Sequence, residues 1–145
     1  MVDAIRAVVE ELGGAAVLGR RLRTEADLQA AIREGFPQSV IDVVMNAGGL
    51  TLSELSQSLD LSPRSLQRRR KTGRLAGFES DRIYRLAHII ALAKHYIGDA
   101  EKASRWLKRP NRALGGGAPL DLIDTEVGAR MVENILGRIA YGGVS

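Results

Sequence analysis

The chain has 145 residues and a formal net charge of +4, with 45% hydrophobic residues, two histidines and no cysteine. The lack of cysteine excludes disulfides, thiolate nucleophiles and thiolate metal sites, and two isolated histidines cannot form a metal centre alone. Because only 4% of the residues are aromatic, the core must be mainly aliphatic, and the length allows one domain or two small domains that share a core.

The charge is distributed unevenly along the chain. Residues 1–50 carry 5 basic and 7 acidic side chains, residues 51–112 carry 14 and 6, and residues 113–145 carry 2 and 4. The middle segment therefore suits a polyanion, and the two ends require another role.

The first residues lack a basic region leading into an apolar one, and no apolar run approaches the roughly 20 residues of a membrane span. We expect a soluble, cytoplasmic protein with no membrane partner.

Helical patterns dominate the first fifty residues. Apolar residues recur at helical spacing over residues 2–12 and predict an N-terminal helix. Residues 15–22 fit either a short helix or a connector. Thr24 is expected to cap the next helix, which Gly35 closes, and Pro37 is expected to open a third.

The stretch from residue 51 to residue 74, TLSELSQSLDLSPRSLQRRRKTGR, predicts a helix-turn-helix. Thr51, followed three positions later by a glutamate, forms a capping box at the start of a short helix. Ser62 as N-cap and Pro63 at the first helical position then begin a second helix over residues 63–72. The few residues between the two helices allow only a tight turn.

The second helix of this pair carries arginines on the side away from Leu66. No Asp or Glu occurs between Leu61 and Phe78 to offset their charge. An arginine-rich helix face can be mere solvated surface, but its position in a helix-turn-helix favours DNA binding. The residues expected to contact DNA are Arg64, Ser65, Gln67, Arg68 and Arg69.

Three longer helices are predicted for the second half of the chain. Ser80 is expected to cap the longest, which continues to Gly98 and is apolar on more than one face, as a spine joining both halves would be. Asp99 caps the next, which Pro110 ends, and Thr125 caps the last. The last helix is expected to carry one apolar side: Val127, Met131, Val132, Ile135, Leu136 and Ile139.

No catalytic arrangement is evident. The three glycines at 115–117 lack the preceding strand and the following Lys-Ser or Lys-Thr pair of a phosphate-binding loop. Asp121 and Asp124 have neither a nearby histidine nor a third acidic residue to complete a site. We predict an all-α protein that is not an enzyme and needs no cofactor, with a helix-turn-helix half over residues 1–76 and a second helical domain over residues 77–145.

Residues 79–141 resemble the C-terminal domain of antitoxins in the Xre/RES class of bacterial type II toxin–antitoxin systems, also called Xre/MbcA/ParS antitoxins. The resemblance runs through ESDRIYRLAHII, GDAEKASRWLKRPNRALGGGAPLDLIDTEVGA and VENILGRIAYG, and SPRSLQRRR is similar to the family's Xre-like half. Together these segments cover about two thirds of the chain.

The resemblance implies an antitoxin. In that family a helical DNA-binding half precedes a domain that binds a RES-domain toxin, which consumes NAD or transfers its ADP-ribose, and the antitoxin blocks the NAD pocket. For this chain it implies that the last helix and the tail face such a toxin, with the tail near its active site. The residues expected to bind the toxin are Met131, Ile135, Arg138, Ile139, Tyr141, Val144 and Ser145.

The acidic final third with its apolar helix stripe also suits another copy of the chain, so we expect a homodimer. An antitoxin of this kind is expected to repress its own operon by binding operator DNA. The alternative is a stand-alone transcriptional regulator whose C-terminal domain dimerises or senses a ligand.

Overall fold

The computed structural model describes residues 2–71 and 73–140. Among these residues the regular elements are helices, together with one isolated antiparallel bridge between Pro37 and Arg74, so the all-α prediction is confirmed. The α-helices are α1 (Val2–Glu11), α2 (Gly14–Leu18), α3 (Glu25–Glu34), α4 (Val40–Gly48), α5 (Leu52–Leu59), α6 (Pro63–Arg69), α7 (Gly77–Ile97), α8 (Ala100–Lys108), α9 (Pro119–Leu122) and α10 (Glu126–Ala140). A short 3₁₀ turn, Arg112–Leu114, lies between α8 and α9.

Five predicted helix starts are confirmed by the same kind of contact. In each, a side-chain oxygen of the capping residue accepts a hydrogen bond from the backbone N–H three positions later, at 2.8–3.1 Å. This contact satisfies one of the backbone donors that a helix start leaves without a partner. The capping residues are Thr24, Thr51, Ser62, Asp99 and Thr125.

The helix predicted to open at Pro37 begins later, at Val40. The reason is a pairing between distant backbone segments. Pro37 forms the bridge with Arg74, and the N–H of Leu75 donates to the carbonyl of Phe36 at 2.9 Å. Residues 36 and 37 are therefore paired with the segment after α6, a turn at residues 38 and 39 follows, and the proline does not begin the helix.

The start of α7 also differs from the prediction, because Ser80 is not its cap. The helix begins at Gly77, and the carboxylate of Glu79 accepts the N–H of Ala76 at 2.7 Å. Ser80 is buried one turn into the helix, where its hydroxyl accepts the N–H of Phe36 at 2.8 Å. The serine thus ties the start of α7 to the segment that follows α3.

The longest helix, α7, is the centre of the molecule, as predicted. It packs against α1, α3, α4, α5, α8 and α10, so it contacts both halves of the chain. Its buried apolar side chains belong to a core that extends from α1 to α10. The division of the chain at residues 76 and 77 remains a prediction.

Two arginines of α7 hold the ends of neighbouring helices. Arg82 Nη1 donates to the carbonyls of residues 59 and 60, both at 3.1 Å, where α5 ends. Arg85 Nη1 donates to the carbonyls of residues 123 and 124 at 3.3 and 3.2 Å, just after α9. Both contacts satisfy carbonyls that have no partner within their own helix.

In the described part of the chain, no helix has the length and apolar character of a membrane span.

Candidate functional site

The predicted helix-turn-helix is formed by α5 and α6. Leu55, Leu59 and Leu66 are each at most 1% exposed and hold the two helices together. Asp60 takes up the left-handed conformation, with φ of 53°, which ends α5 and turns the chain toward α6. At seven residues, α6 is shorter than the predicted range of 63–72.

The expected DNA contacts separate into different environments. Arg64, Gln67 and Arg68 are exposed, and Arg64 makes no hydrogen bond or ion pair with another described residue. The amide of Gln67 accepts from Arg70 at 3.2 Å. Ser65 is half-buried, and its hydroxyl interacts with that of the N-cap Ser62 at 2.9 Å. Three polar side chains of α6 are therefore presented together on the surface.

Arg69 is held differently from the other arginines of α6. Its Nε donates to the carboxylate of Glu79 at 3.1 Å, and Glu79 is only 3% exposed. The sequence correctly shows no acid between Leu61 and Phe78, but the next residue in the chain reaches back to this helix. The structure therefore places the Nε edge of Arg69 against the protein.

Arg70 anchors the other side of α6 and was not singled out from the sequence. Its Nη2 donates to Asp42 of α4 at 2.7 Å. Asp42 is 28 positions away, so no local pattern could have indicated the pair. Together with Arg69 and Glu79, this ion pair fixes α6 on both α4 and α7.

The apolar residues of α10 do not share one side, contrary to the prediction. Val132, Ile135 and Leu136 are buried in the core, with Ile135 only 3% exposed. Val127 and Met131 are 70% and 40% exposed. The predicted toxin contact Ile135 is therefore corrected to a core residue, because its side chain faces α10's own packing partners.

The exposed face of α10 carries a stripe of four residues. Val127, Met131, Asn134 and Arg138 follow one another at intervals of four, three and four positions, which places them on one helix face. Of the other predicted toxin contacts, Ile139 is half-buried against the core. Tyr141, Val144 and Ser145 lie outside the described residues. We call Val127, Met131, Asn134 and Arg138 the α10 stripe.

Polar contacts connect the helix-turn-helix to the helices that precede α10. Lys108 Nζ of α8 lies 3.2 Å from the carboxylate of Glu54 in α5, and Gln57 Nε2 donates to Asp121 of α9 at 3.0 Å. Burial raises the pKa of Glu54, but hydrogen bonds from the Thr51 N–H and from Lys108 outweigh it and keep this pKa below its ordinary value. The ionised carboxylate therefore serves both the cap of α5 and its contact with α8.

Two family models match consecutive parts of this arrangement. Residues 27–88 match the antitoxin Xre-like helix-turn-helix domain, and residues 92–142 match the antitoxin Xre/MbcA/ParS C-terminal toxin-binding domain. The α5–α6 pair lies in the first match, and the α10 stripe lies in the second. The fold and the matches define an antitoxin with a helix-turn-helix and a toxin-binding domain.

Curated relatives extend the match over most of the chain. Antitoxin Xre of Photorhabdus laumondii is 36% identical over 120 residues, which cover 81% of each chain. Antitoxin Xre of Pseudomonas putida is 34% identical over 122 residues, 83% of this chain and 76% of the relative. Antitoxin Xre of Yersinia enterocolitica is 34% identical over 114 residues, 77% of each chain.

The chain belongs to the Xre family of type II antitoxins. The resemblance inferred from its sequence motifs is thereby confirmed. Membership of an antitoxin family also favours a regulator over an enzyme.

Proposed function

We propose that this chain neutralises a RES-domain toxin that acts on NAD, and that it represses its own operon as a homodimer through its helix-turn-helix. The observation that carries the proposal is the α10 stripe, an exposed, partly apolar face within the segment that matches a toxin-binding domain. The RES class of toxin and its action on NAD are supported by the sequence resemblance. The protein would act in the cytoplasm, where NAD and operator DNA are both present.

The chemistry of the α10 stripe suits an anchor on a protein partner. Exposed apolar side chains are costly in water unless a partner covers them, and Val127 and Met131 are neighbours on one helix face. Met131 is flexible and polarisable, so it can fit an irregular pocket, and Arg138 adds a charged group at the same face. Apolar side chains bordered by polar ones are the usual arrangement of a protein–protein interface.

Met131→Asp tests the toxin interface. Placing a charge in a desolvated contact should weaken the complex with the toxin by at least about tenfold, which corresponds to about 1.4 kcal/mol. Phe78→Asp is the matched control, since it also places an acid at an exposed apolar position but on α7, outside the α10 stripe. Each variant is co-expressed with the protein encoded by the adjacent reading frame, and cellular NAD is measured beside complex formation.

Truncation after Ile139 tests whether the tail enters the NAD pocket. The core residues of α10 precede the cut, so the fold and operator binding should remain nearly intact. Loss of neutralisation with the complex retained indicates that the tail plugs the pocket. Normal neutralisation by the truncated chain indicates that the exposed face of α10, and not the tail, inhibits the toxin. If the truncated chain and Met131→Asp both protect cells as the parent does, the antitoxin proposal fails for this domain.

The surface of α6 supports the second part of the proposal. Arg64 and Arg68 lie one turn apart on the second helix of a helix-turn-helix, which is the helix that enters the major groove in this motif. Two copies related by symmetry would place two such helices in successive grooves, so repression requires the homodimer. Light scattering of the free chain measures that oligomeric state.

Arg68→Ala and Arg64→Ala test DNA binding. Loss of a base contact should cost about 1–3 kcal/mol, whereas loss of a phosphate contact should reduce the salt dependence of the affinity by about one unit of slope. Arg105→Ala, on the exposed surface of α8, controls for net charge. Operator affinities that are equal for all three variants would remove α6 as the DNA contact. Operator binding without any toxic neighbour would instead indicate the stand-alone regulator.

A further inference from the structure

An open groove of about 850 Å³ lies between α1, α3 and α7. It is lined by aliphatic side chains of α1 and α3: Ile5, Val8, Leu28 and Ile32. Tyr84 and His88 of α7 complete it, with their rings parallel to within 5° and their centroids 6.0 Å apart. The groove therefore offers an apolar surface bordered by two flat rings.

A second groove, of about 320 Å³, adjoins the first. Asp81, Tyr84 and His88 line both grooves, and the second adds Glu126 and Glu133 from α10. The two grooves together form one depression that runs from α1 across α7 to α10, and we call it the α1–α10 groove. The groove reaches α10 at Glu126, Ala129 and Glu133, on a face of this helix different from the α10 stripe.

Negative charge predominates in the α1–α10 groove. Burial raises the pKa of Tyr84, and so do the carboxylates of four surrounding residues, which are Glu133, Glu25, Asp81 and Glu126. Four carboxylates and two arginines, Arg33 and Arg85, line the groove. Three of the carboxylates have a basic neighbour: Asp81 lies 3.8 Å from Arg85, Glu126 lies 3.9 Å from Arg130, and Glu133 lies 3.5 Å from His88. A partner segment that covers this surface should therefore combine apolar side chains with Lys or Arg.

We infer that the α1–α10 groove binds a basic, partly apolar segment of the toxin, and that the toxin interface extends from α10 across α7 onto α1 and α3. The inference rests on the proposed function, because it needs the toxin as the partner. The groove reaches α10, the helix of the α10 stripe, and its carboxylates outnumber its arginines by four to two, which favours a positively charged partner segment. Helix α1 lies outside both family-model matches, so this contact adds to the matched toxin-binding domain.

Ala26→Arg tests the inference with a control on the same helix. Ala26 and Ala30 are both exposed on α3, but only Ala26 lines the groove. An arginine at position 26, a lining residue, occupies part of the groove and brings positive charge against a positive segment. The purified toxin from the adjacent reading frame should bind Ala26→Arg at least about tenfold more weakly than the parent, and Ala30→Arg within about twofold. Both variants should keep the parent's melting temperature and operator affinity.

Glu133→Gln tests the contribution of charge separately. The substitution keeps the size of the side chain and removes one carboxylate from the part of the groove next to α10. Toxin affinity should fall by about threefold or more at low salt, and the salt dependence should become shallower. Glu101→Gln, exposed on α8 outside the groove, should change neither quantity.

The inference requires that Ala26→Arg loses toxin affinity while the mass of the free chain, measured by light scattering, stays that of the parent. Equal toxin affinities for Ala26→Arg and Ala30→Arg overturn it. A change in the mass of the free chain overturns it as well, because the groove would then join copies of this chain. If Met131→Asp weakens the complex and Ala26→Arg does not, only this inference fails. If the parent chain does not bind the toxin at all, the proposed function itself fails.

Discussion

Glu79 shows how one side chain can connect two elements of the fold. One carboxylate oxygen accepts the N–H of Ala76 and so caps α7, and the other accepts Nε of Arg69 in α6. A buried carboxylate without partners would be costly, so both contacts are needed to keep Glu79 in place. The arginine predicted as a DNA contact therefore also fixes α6 on α7.

Arg69→Ala should destabilise the fold, because it leaves the buried carboxylate of Glu79 without its ion pair. We expect a loss of about 1–3 kcal/mol in the free energy of unfolding, measured by urea denaturation followed by circular dichroism. Arg64→Ala, on the exposed surface of the same helix, should stay within about 0.5 kcal/mol of the parent. Equal stabilities of the two variants would contradict a structural role for Arg69.

Glu54 predicts a dependence of stability on pH. Its pKa is lowered in the folded chain, so its ion pair with Lys108 and its bond to Thr51 stabilise the fold above the unfolded pKa, about 4.3. That contribution disappears as the pH falls through the lower, folded value. The free energy of unfolding of the parent should exceed that of Glu54→Gln by up to about 1 kcal/mol at about pH 7, and by less at about pH 3. Urea midpoints at both pH values measure the difference, and a constant difference would show that the charge of Glu54 does not contribute.

At the scale of elements, the sequence predicts well the helix caps that depend on contacts within a single helical turn. Thr51 and Ser62 were identified as caps because cap and recipient lie three positions apart. Pro37 and Ser80 differ from the prediction because residues far away in sequence contact them: Pro37 forms the bridge to Arg74, and Ser80 accepts the N–H of Phe36. A local sequence pattern does not indicate contacts between residues that lie far apart in the chain.

The same limit applies to the candidate surfaces. Helical spacing grouped Ile135 with Met131, and only the packing of α10 on α7 and α9 separates the buried residue from the exposed one. The charge pattern indicates the arginines of α6. It does not indicate the role of Arg70, because its partner Asp42 lies far away in sequence. Periodicity predicts which elements are amphipathic, and tertiary contacts decide which side chains remain available to a partner.

The helix α10 approaches the end of α9 closely at Gly128. A Cβ at this position would lie 1.8 Å from the carbonyl oxygen of Leu122, so Gly128→Ala must displace backbone and should cost about 1–3 kcal/mol. Gly137→Ala is the matched control on the same helix, since a Cβ there meets no atom of the described residues within 4 Å, apart from the nearby backbone of α10 itself. The control should be neutral or stabilising by up to about 1 kcal/mol, because alanine favours helix over glycine. Thermal melts of both variants measure the contrast, and similar losses would show that the α9–α10 approach is not tight.

At the scale of the whole molecule, both candidate surfaces stand on one hydrophobic core. The core runs from Val8 in α1 through α7 to Leu136 in α10, without a separation between the matched segments. The contacts of Lys108 with Glu54 and of Gln57 with Asp121 join the helix-turn-helix directly to α8 and α9. Since the two halves share their buried surface, neither should retain its full stability when the other unfolds.

This shared core predicts one cooperative unfolding transition. The single tryptophan, Trp106, lies in α8 and reports on the second half, whereas circular dichroism at far-ultraviolet wavelengths reports on all helices. Leu55→Ala opens a cavity in the helix-turn-helix, where Leu55 is fully buried, and should cost about 2–5 kcal/mol. In Leu55→Ala, the unfolding midpoints measured by tryptophan fluorescence and by circular dichroism should both fall to the same lower value. Ser53→Ala, on the exposed side of α5, should change neither midpoint. A tryptophan transition that keeps the parent's midpoint in Leu55→Ala would instead establish two independently unfolding domains, because a cavity in the first would then leave the second unaffected.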